Sequence, residues 1–167
     1  LGGVGLGKPD ATLVLLDRSA SMEVQDLQTG ESKRSTALKK LAELLGKRDY
    51  GSQLVLIDSA SERVQLLESP SALLELPVTE ATATSADIPG MLGQGLAFLS
   101  ANESGRADIW ICSDLSENDW APSSGRWAAL RAQLAPLKGV QHYLLSYAEQ
   151  PLGNVAVRVS NVVRRQR

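Results

Sequence analysis

The stretch Ala11–Met22, ATLVLLDRSASM, decides how the chain is read. Its first half, Ala11–Leu16, is a continuous apolar run of strand length, the pattern of a β-strand buried on both faces. Asp17 ends the run, and Ser19 and Ser21 follow at alternate positions. One carboxylate and two hydroxyls are thus delivered into one short turn. Three chemistries use such a loop: a nucleophilic serine, a phosphorylated aspartate, or a metal site built of oxygens.

Outward from this stretch, strand and helix patterns alternate. Lys33–Lys47 places Ala37, Leu38, Leu41, Leu44 and Leu45 along one face of an amphipathic helix, with Gly46 near its end. Ser52–Ser59 (SQLVLIDS) reads as a second buried strand, and Arg63–Leu67 as a short third strand that pairs with it as a hairpin. Ser69–Ser85, rich in Ser, Thr, Ala and Pro, reads as loop with one helical turn at Ser71–Leu76. Ile88–Leu99 is helical, capped by Ser85 or Asp87, with Pro89 tolerated in its first turn. Asp108–Ser113 (DIWICS) is another buried strand and Ser123–Leu137 another helix. Val140–Tyr147 and Val155–Val163 complete the pattern as strands.

Strands separated by helices predict an α/β fold with a mostly parallel central sheet, helices on both faces and one short antiparallel edge strand. In such sheets ligands bind at the carboxyl ends of strands, where the strand order reverses. Asp17 and Asp114 both fall at such ends. The expected division is a lead-in over residues 1–9, one domain over 10–150, and a C-terminal strand and tail over 151–167.

Composition narrows the function. The chain has 167 residues, 43% hydrophobic and 22% charged, with a net charge of −2. Those are the proportions of an ordinary globular domain, and no basic field points to nucleic acid or to an anionic membrane. No apolar run approaches the roughly 20 residues of a membrane span. Leu1–Pro9 carries glycines where a signal peptide has its apolar core. Cys112 is the only cysteine and His142 the only histidine, which argues against a zinc site of N and S ligands.

The three chemistries separate on what else they need. A nucleophilic serine needs a base, and His142 lies inside a predicted strand. A phosphorylated aspartate of the haloacid-dehalogenase type needs a second aspartate two residues on, where Ser19 stands. Gly2, Gly7 and Lys8 have phosphate-loop spacing, but Pro9 replaces the required hydroxyl residue and the strand comes afterwards. An oxygen site for a hard cation needs no such additions. Mg²⁺ prefers six oxygens, keeps several waters, and can leave a position open for an incoming carboxylate.

LLDRSASM, with Asp17, Ser19 and Ser21, resembles the first loop of the metal-ion-dependent adhesion site of von Willebrand factor A domains. Asp114, in CSDLSENDW after a buried strand, resembles that site's third piece. The resemblance covers roughly Asp10 to Tyr147. It implies a Rossmann-like fold in which Ser19 and Ser21 bind Mg²⁺ (or Mn²⁺ or Ca²⁺) directly, while Asp17 and Asp114 hold it largely through water. The second piece is a threonine just ahead of a helix. Taking Met91-Leu92 as the reference pair puts Ala86 at that position, with Thr84 the nearest candidate hydroxyl and Ser85 beside it.

LLDRSASM, CSDLSENDW and Asn154-Val155-Ala156-Val157 further resemble bacterial Bat-type aerotolerance proteins. That implies a soluble segment of a longer chain held in the inner membrane of the cell envelope, with residues 151–167 partly the start of a β-rich domain. The function implied is binding of another protein through a bridging cation, with an Asp or Glu of the partner as ligand and no reaction catalysed. Two alternatives stay open: a structural domain with a degenerate metal site, and a metal-dependent phosphoester hydrolase. Trp120, on the rim after Asp114, is either a partner-binding anchor or packing over the following helix.

Overall fold

The computed structural model describes residues 8–146 fully and Ala156–Val159 by backbone alone. The lead-in up to Gly7, Tyr147, the Asn154-Val155 pair and the C-terminal residues 160–167 lie outside the described residues. The elements are β1 (Ala11–Leu16), α1 (Lys33–Gly46), β2 (Gln53–Asp58), β3 (Val64–Leu67), α2 (Ile88–Ala101), β4 (Arg106–Ser113), α3 (Glu117–Trp120), α4 (Arg126–Leu134), β5 (Gly139–Ser146) and β6 (Ala156–Val159).

They form one sheet in the order β3-β2-β1-β4-β5-β6. β1, β2, β4 and β5 are parallel, and β3 pairs antiparallel with β2. This is the mostly parallel α/β sheet the sequence predicts. A second antiparallel strand, β6, joins the same sheet through β5.

Each residue of β1 is buried, which is why the strand can be apolar throughout. Leu13 and Leu15 point to a core shared with Ile88, Met91, Leu92, Leu96 and Leu99 of α2 and Leu130 of α4. Val14 and Leu16 point to the other face, against Ala37, Leu38, Leu41 and Leu45 of α1. Fully burying such a side chain contributes about 1.5–3 kcal/mol. Trp110 of β4 stacks on Tyr143 of β5 at 4.3 Å, with Arg48 over both rings.

The chain leaves β1 in one direction, through α1 to β2, and later returns to its other side as β4. The strand order therefore reverses between β1 and β4. This is the crevice at which open α/β sheets bind ligands.

Helix ends follow local chemistry. Ser32 caps α1 by accepting from the Ser35 amide at 3.1 Å, and Asp87 caps α2 by accepting from Gly90 at 3.1 Å. The helix predicted over Ser123–Leu137 is shorter. Ala121 adopts a left-handed φ of 40° and the chain turns through Ser124 before α4 begins at Arg126. The turn predicted at Ser71–Leu76 is a 3₁₀ turn over Pro70–Leu74, with a second at Pro77–Thr79.

At the opposite edge of the strands, a Cβ on Gly139 would lie 2.1 Å from the carbonyl oxygen of Gly105. That neighbour is backbone and cannot rotate away. Gly139→Ala is expected to cost about 1–3 kcal/mol by forcing β4 and β5 apart at their amino ends, read as a lowered urea midpoint.

His142 lies on β5 between Val140 and Leu144, which pack against the α2–α4 core. Its Nε2 is buried with no partner among the described residues. Burial holds its pKa below the ordinary 6.5. On acidification the unfolded chain takes up this proton first, so stability falls as pH drops below about 6.5. His142→Leu should remove that part of the pH dependence, checked by urea midpoints at about pH 7.5 and about pH 5.5.

Candidate metal centre

Asp17, Asp114 and Asp119 converge at the carboxyl ends of β1 and β4, each offering a carboxylate oxygen within 4.8 Å of the others. Asp17 is placed by the sheet itself. Its amide donates to the carbonyl of Cys112 at 2.9 Å, continuing the β1–β4 ladder by one residue. One of its oxygens accepts the Ser19 amide at 2.9 Å and the other the Ser113 hydroxyl at 3.1 Å. Ser19 and Ser21, two residues apart, bring their hydroxyl oxygens to 3.1 Å from each other.

Ser113 organises the second loop. Besides donating to Asp17, its hydroxyl accepts from the Leu115 amide at 3.1 Å and the Trp120 indole at 3.0 Å. Leu115 sits at φ 64°, a left-handed conformation that costs a bulky residue about 1–2 kcal/mol. This turn separates Asp114, at the strand end, from α3. One helical turn later α3 carries Asp119 back to the cluster.

Asp119 is buried, and its Oδ1 accepts the Ala86 amide at 2.9 Å. Burial, then the charge of Asp17, pushes its carboxyl above the ordinary aspartate value, against the pull of the Ala86 amide; Asp114 adds to the rise. Carboxylates held so close raise one another's cost of ionisation, and a divalent cation between them removes that cost.

The residues singled out from the sequence fare unequally. Asp17, Ser19, Ser21 and Asp114 lie together in the two loops. Thr84 is exposed, and its hydroxyl pairs with that of Thr82 at 2.8 Å. Among the described residues no hydrogen bond joins Thr84 to the cluster. At the position where the resemblance places a threonine, Ala86 is buried and engages Asp119 through its backbone. Trp120 is half-buried: its indole donates to Ser113, its ring stacks on Trp127 at 5.7 Å, and its carbonyl accepts from Trp127 at 2.7 Å. These are the contacts of a packing residue.

Asp119 is the residue that sequence reasoning missed. The only signal was a third acid, five residues after Asp114, in a stretch that read as loop. Cys112 is buried, and burial followed by the charge of Asp17 pushes its thiol up to about 12, so it is no nucleophile.

The candidate donors are the three clustered carboxylates and, on the loop that follows Asp17, the hydroxyls of Ser19 and Ser21, all oxygen. That chemistry fits a hard divalent cation such as Mg²⁺, Mn²⁺ or Ca²⁺ and suits soft thiolate-seeking metals poorly. Among the described residues no helix is long and apolar enough to cross a membrane. No protein-family model matches the chain, and no curated protein matches it.

Proposed function

We propose that this chain is a von Willebrand A-type interaction module that binds another protein through a divalent cation, with a partner carboxylate as the bridging ligand. The observation that carries the reading is the convergence of Asp17, Asp114 and Asp119 beside two serine hydroxyls at the reversal point of the sheet. Asp17 is held by two hydrogen bonds and is fully buried, so it arrives in one orientation. Ser19 and Ser21 add oxygens without adding charge. Asp114 and Asp119 add charge from the opposite loop. When bound, Mg²⁺ or Mn²⁺ supplies an electrophilic position for an oxygen of the partner. Recognition needs no bond to be made or broken.

The test is thermal and chemical unfolding with and without Mg²⁺ or Mn²⁺, on wild type and Asp17→Ala. An ion that binds only the folded state stabilises it by about 2.7 kcal/mol at about a hundred times its dissociation constant. The expected result is that gain in wild type and none in Asp17→Ala. Equal behaviour of the two proteins would favour a structural domain with a degenerate site.

A further inference from the structure

Lys33 stands where a helix least favours a cation. It is the first residue of α1, at the positive end of the helix dipole, and the first turn contains no acid to offset it. Its neighbour Arg34 breaks the same rule, but Arg34 is engaged by Glu23 at 2.5 Å and by the carbonyl of Thr79 at 2.7 Å. Lys33 is directed instead at the cluster, with its Nζ 3.4 Å from Oδ2 of Asp114. Both side chains are largely withdrawn from water, at 17% and 6% exposure. A local rule broken by a residue aimed at a candidate site is the expected signature of a functional constraint.

Resting on the cation reading above, we infer that Lys33 sets the charge of the site and shares Asp114 with the divalent ion. Among the described residues it is the one cation within ion-pair distance of Asp17, Asp114 or Asp119. Three carboxylates and one ammonium leave two negative charges, which a divalent ion balances. Without Lys33 the loaded site would stay negative and repel a carboxylate ligand. With it the loaded site is neutral. The cost is weaker ion binding, because Lys33 occupies one Asp114 oxygen and repels the incoming cation. The contact is long for a charge-assisted hydrogen bond, so it yields readily.

The inference is tested with Mn²⁺ alone. Free Mn²⁺ is counted by electron paramagnetic resonance on wild type, Lys33→Met, Lys33→Arg, Lys39→Met and Asp17→Ala, each first shown to be folded by circular dichroism. Lys33→Met should bind Mn²⁺ about three- to tenfold more tightly, as loss of a largely buried charge contact implies. Lys33→Arg and Lys39→Met should stay near wild type, and Asp17→Ala should lose binding. In parallel, acetic anhydride labelling read by mass spectrometry should show Lys33 becoming more reactive when Mn²⁺ is added, with Lys39 and Lys40 unchanged. Unchanged or weaker binding in Lys33→Met, or no change in Lys33 labelling while wild type binds Mn²⁺, overturns the inference and leaves the site standing. Failure of both wild type and Lys33→Met to bind Mn²⁺ overturns the site reading and this inference with it.

Discussion

Asp119→Asn raises the stability of the protein in chelator and abolishes its stabilisation by Mn²⁺. The two effects have opposite signs because one carboxylate causes both. In the absence of an ion, the Asp119 charge is buried and faces Asp17 and Asp114, with a single amide, that of Ala86, to compensate it. The asparagine carbonyl can still accept from Ala86, so the fold contact survives while the like-charge repulsion disappears. A gain of about 1 kcal/mol is expected in chelator, typical for relief of a destabilised functional site. The loss is larger. Removing one of the three proposed anionic ligands should eliminate most of the roughly 2.7 kcal/mol that wild type gains at about a hundred times the ion's dissociation constant. Urea midpoints of the two proteins, each in EDTA and in excess Mn²⁺, give all four values. An asparagine variant that is less stable in chelator yet still responds to Mn²⁺ would make Asp119 a fold residue and no ligand.

That residue also marks the boundary of what the sequence could tell. Asp17 and Asp114 were legible because each closes an apolar run, and a parallel sheet puts such run ends on one rim. Ser19 and Ser21 were legible from their spacing behind Asp17. Asp119 was not, because α3 spans only Glu117–Trp120 and four residues carry no periodicity. Its position depends on the left-handed Leu115 and on the three hydrogen bonds of the Ser113 hydroxyl, both tertiary facts. The setting of Thr84 was not legible for a related reason. Its loop is held by Thr82, whose amide and hydroxyl both donate to the Arg18 carbonyl, and nothing in the local pattern of Ser and Thr encodes that anchor. The start of α4 was placed three residues early, at Ser123, because the chain is still turning there: the Ser124 amide donates to the Ala121 carbonyl, and Gly125 precedes the helix without a side-chain cap.

Asp58→Ala costs about 3–5 kcal/mol and weakens Mn²⁺ binding, although Asp58 touches none of the proposed ligands. Asp58 ends β2 and is fully buried. Its Oδ1 lies 2.6 Å from Nη1 of Arg18, the residue between Asp17 and Ser19. Arg18 is tied on every side. Its amide donates to the Ser59 hydroxyl at 2.9 Å, its guanidinium also donates to the Glu80 carbonyl, and its own carbonyl holds Thr82. Deleting the Asp58 carboxylate leaves a buried guanidinium without its counter-charge, and the loop carrying Ser19 and Ser21 loses the contact that fixes it to β2. Asp58→Asn should cost less, since an acceptor remains. Acid should reveal the same pair. Burial raises the Asp58 pKa, but hydrogen bonds from the Ser61 hydroxyl and amide, Arg18 and the Ala60 amide outweigh it and hold the carboxyl below its ordinary 3.8. A lowered folded-state pKa contributes stability that is present above about 3.8 and is lost as pH falls through the folded value. Wild type should therefore show an acid-induced loss over that range which Asp58→Ala lacks. A penalty under about 1 kcal/mol for Asp58→Ala, with Mn²⁺ affinity unchanged, would mean that the pair behaves as an exposed salt bridge and that the Asp17–Ser21 loop is held by other contacts.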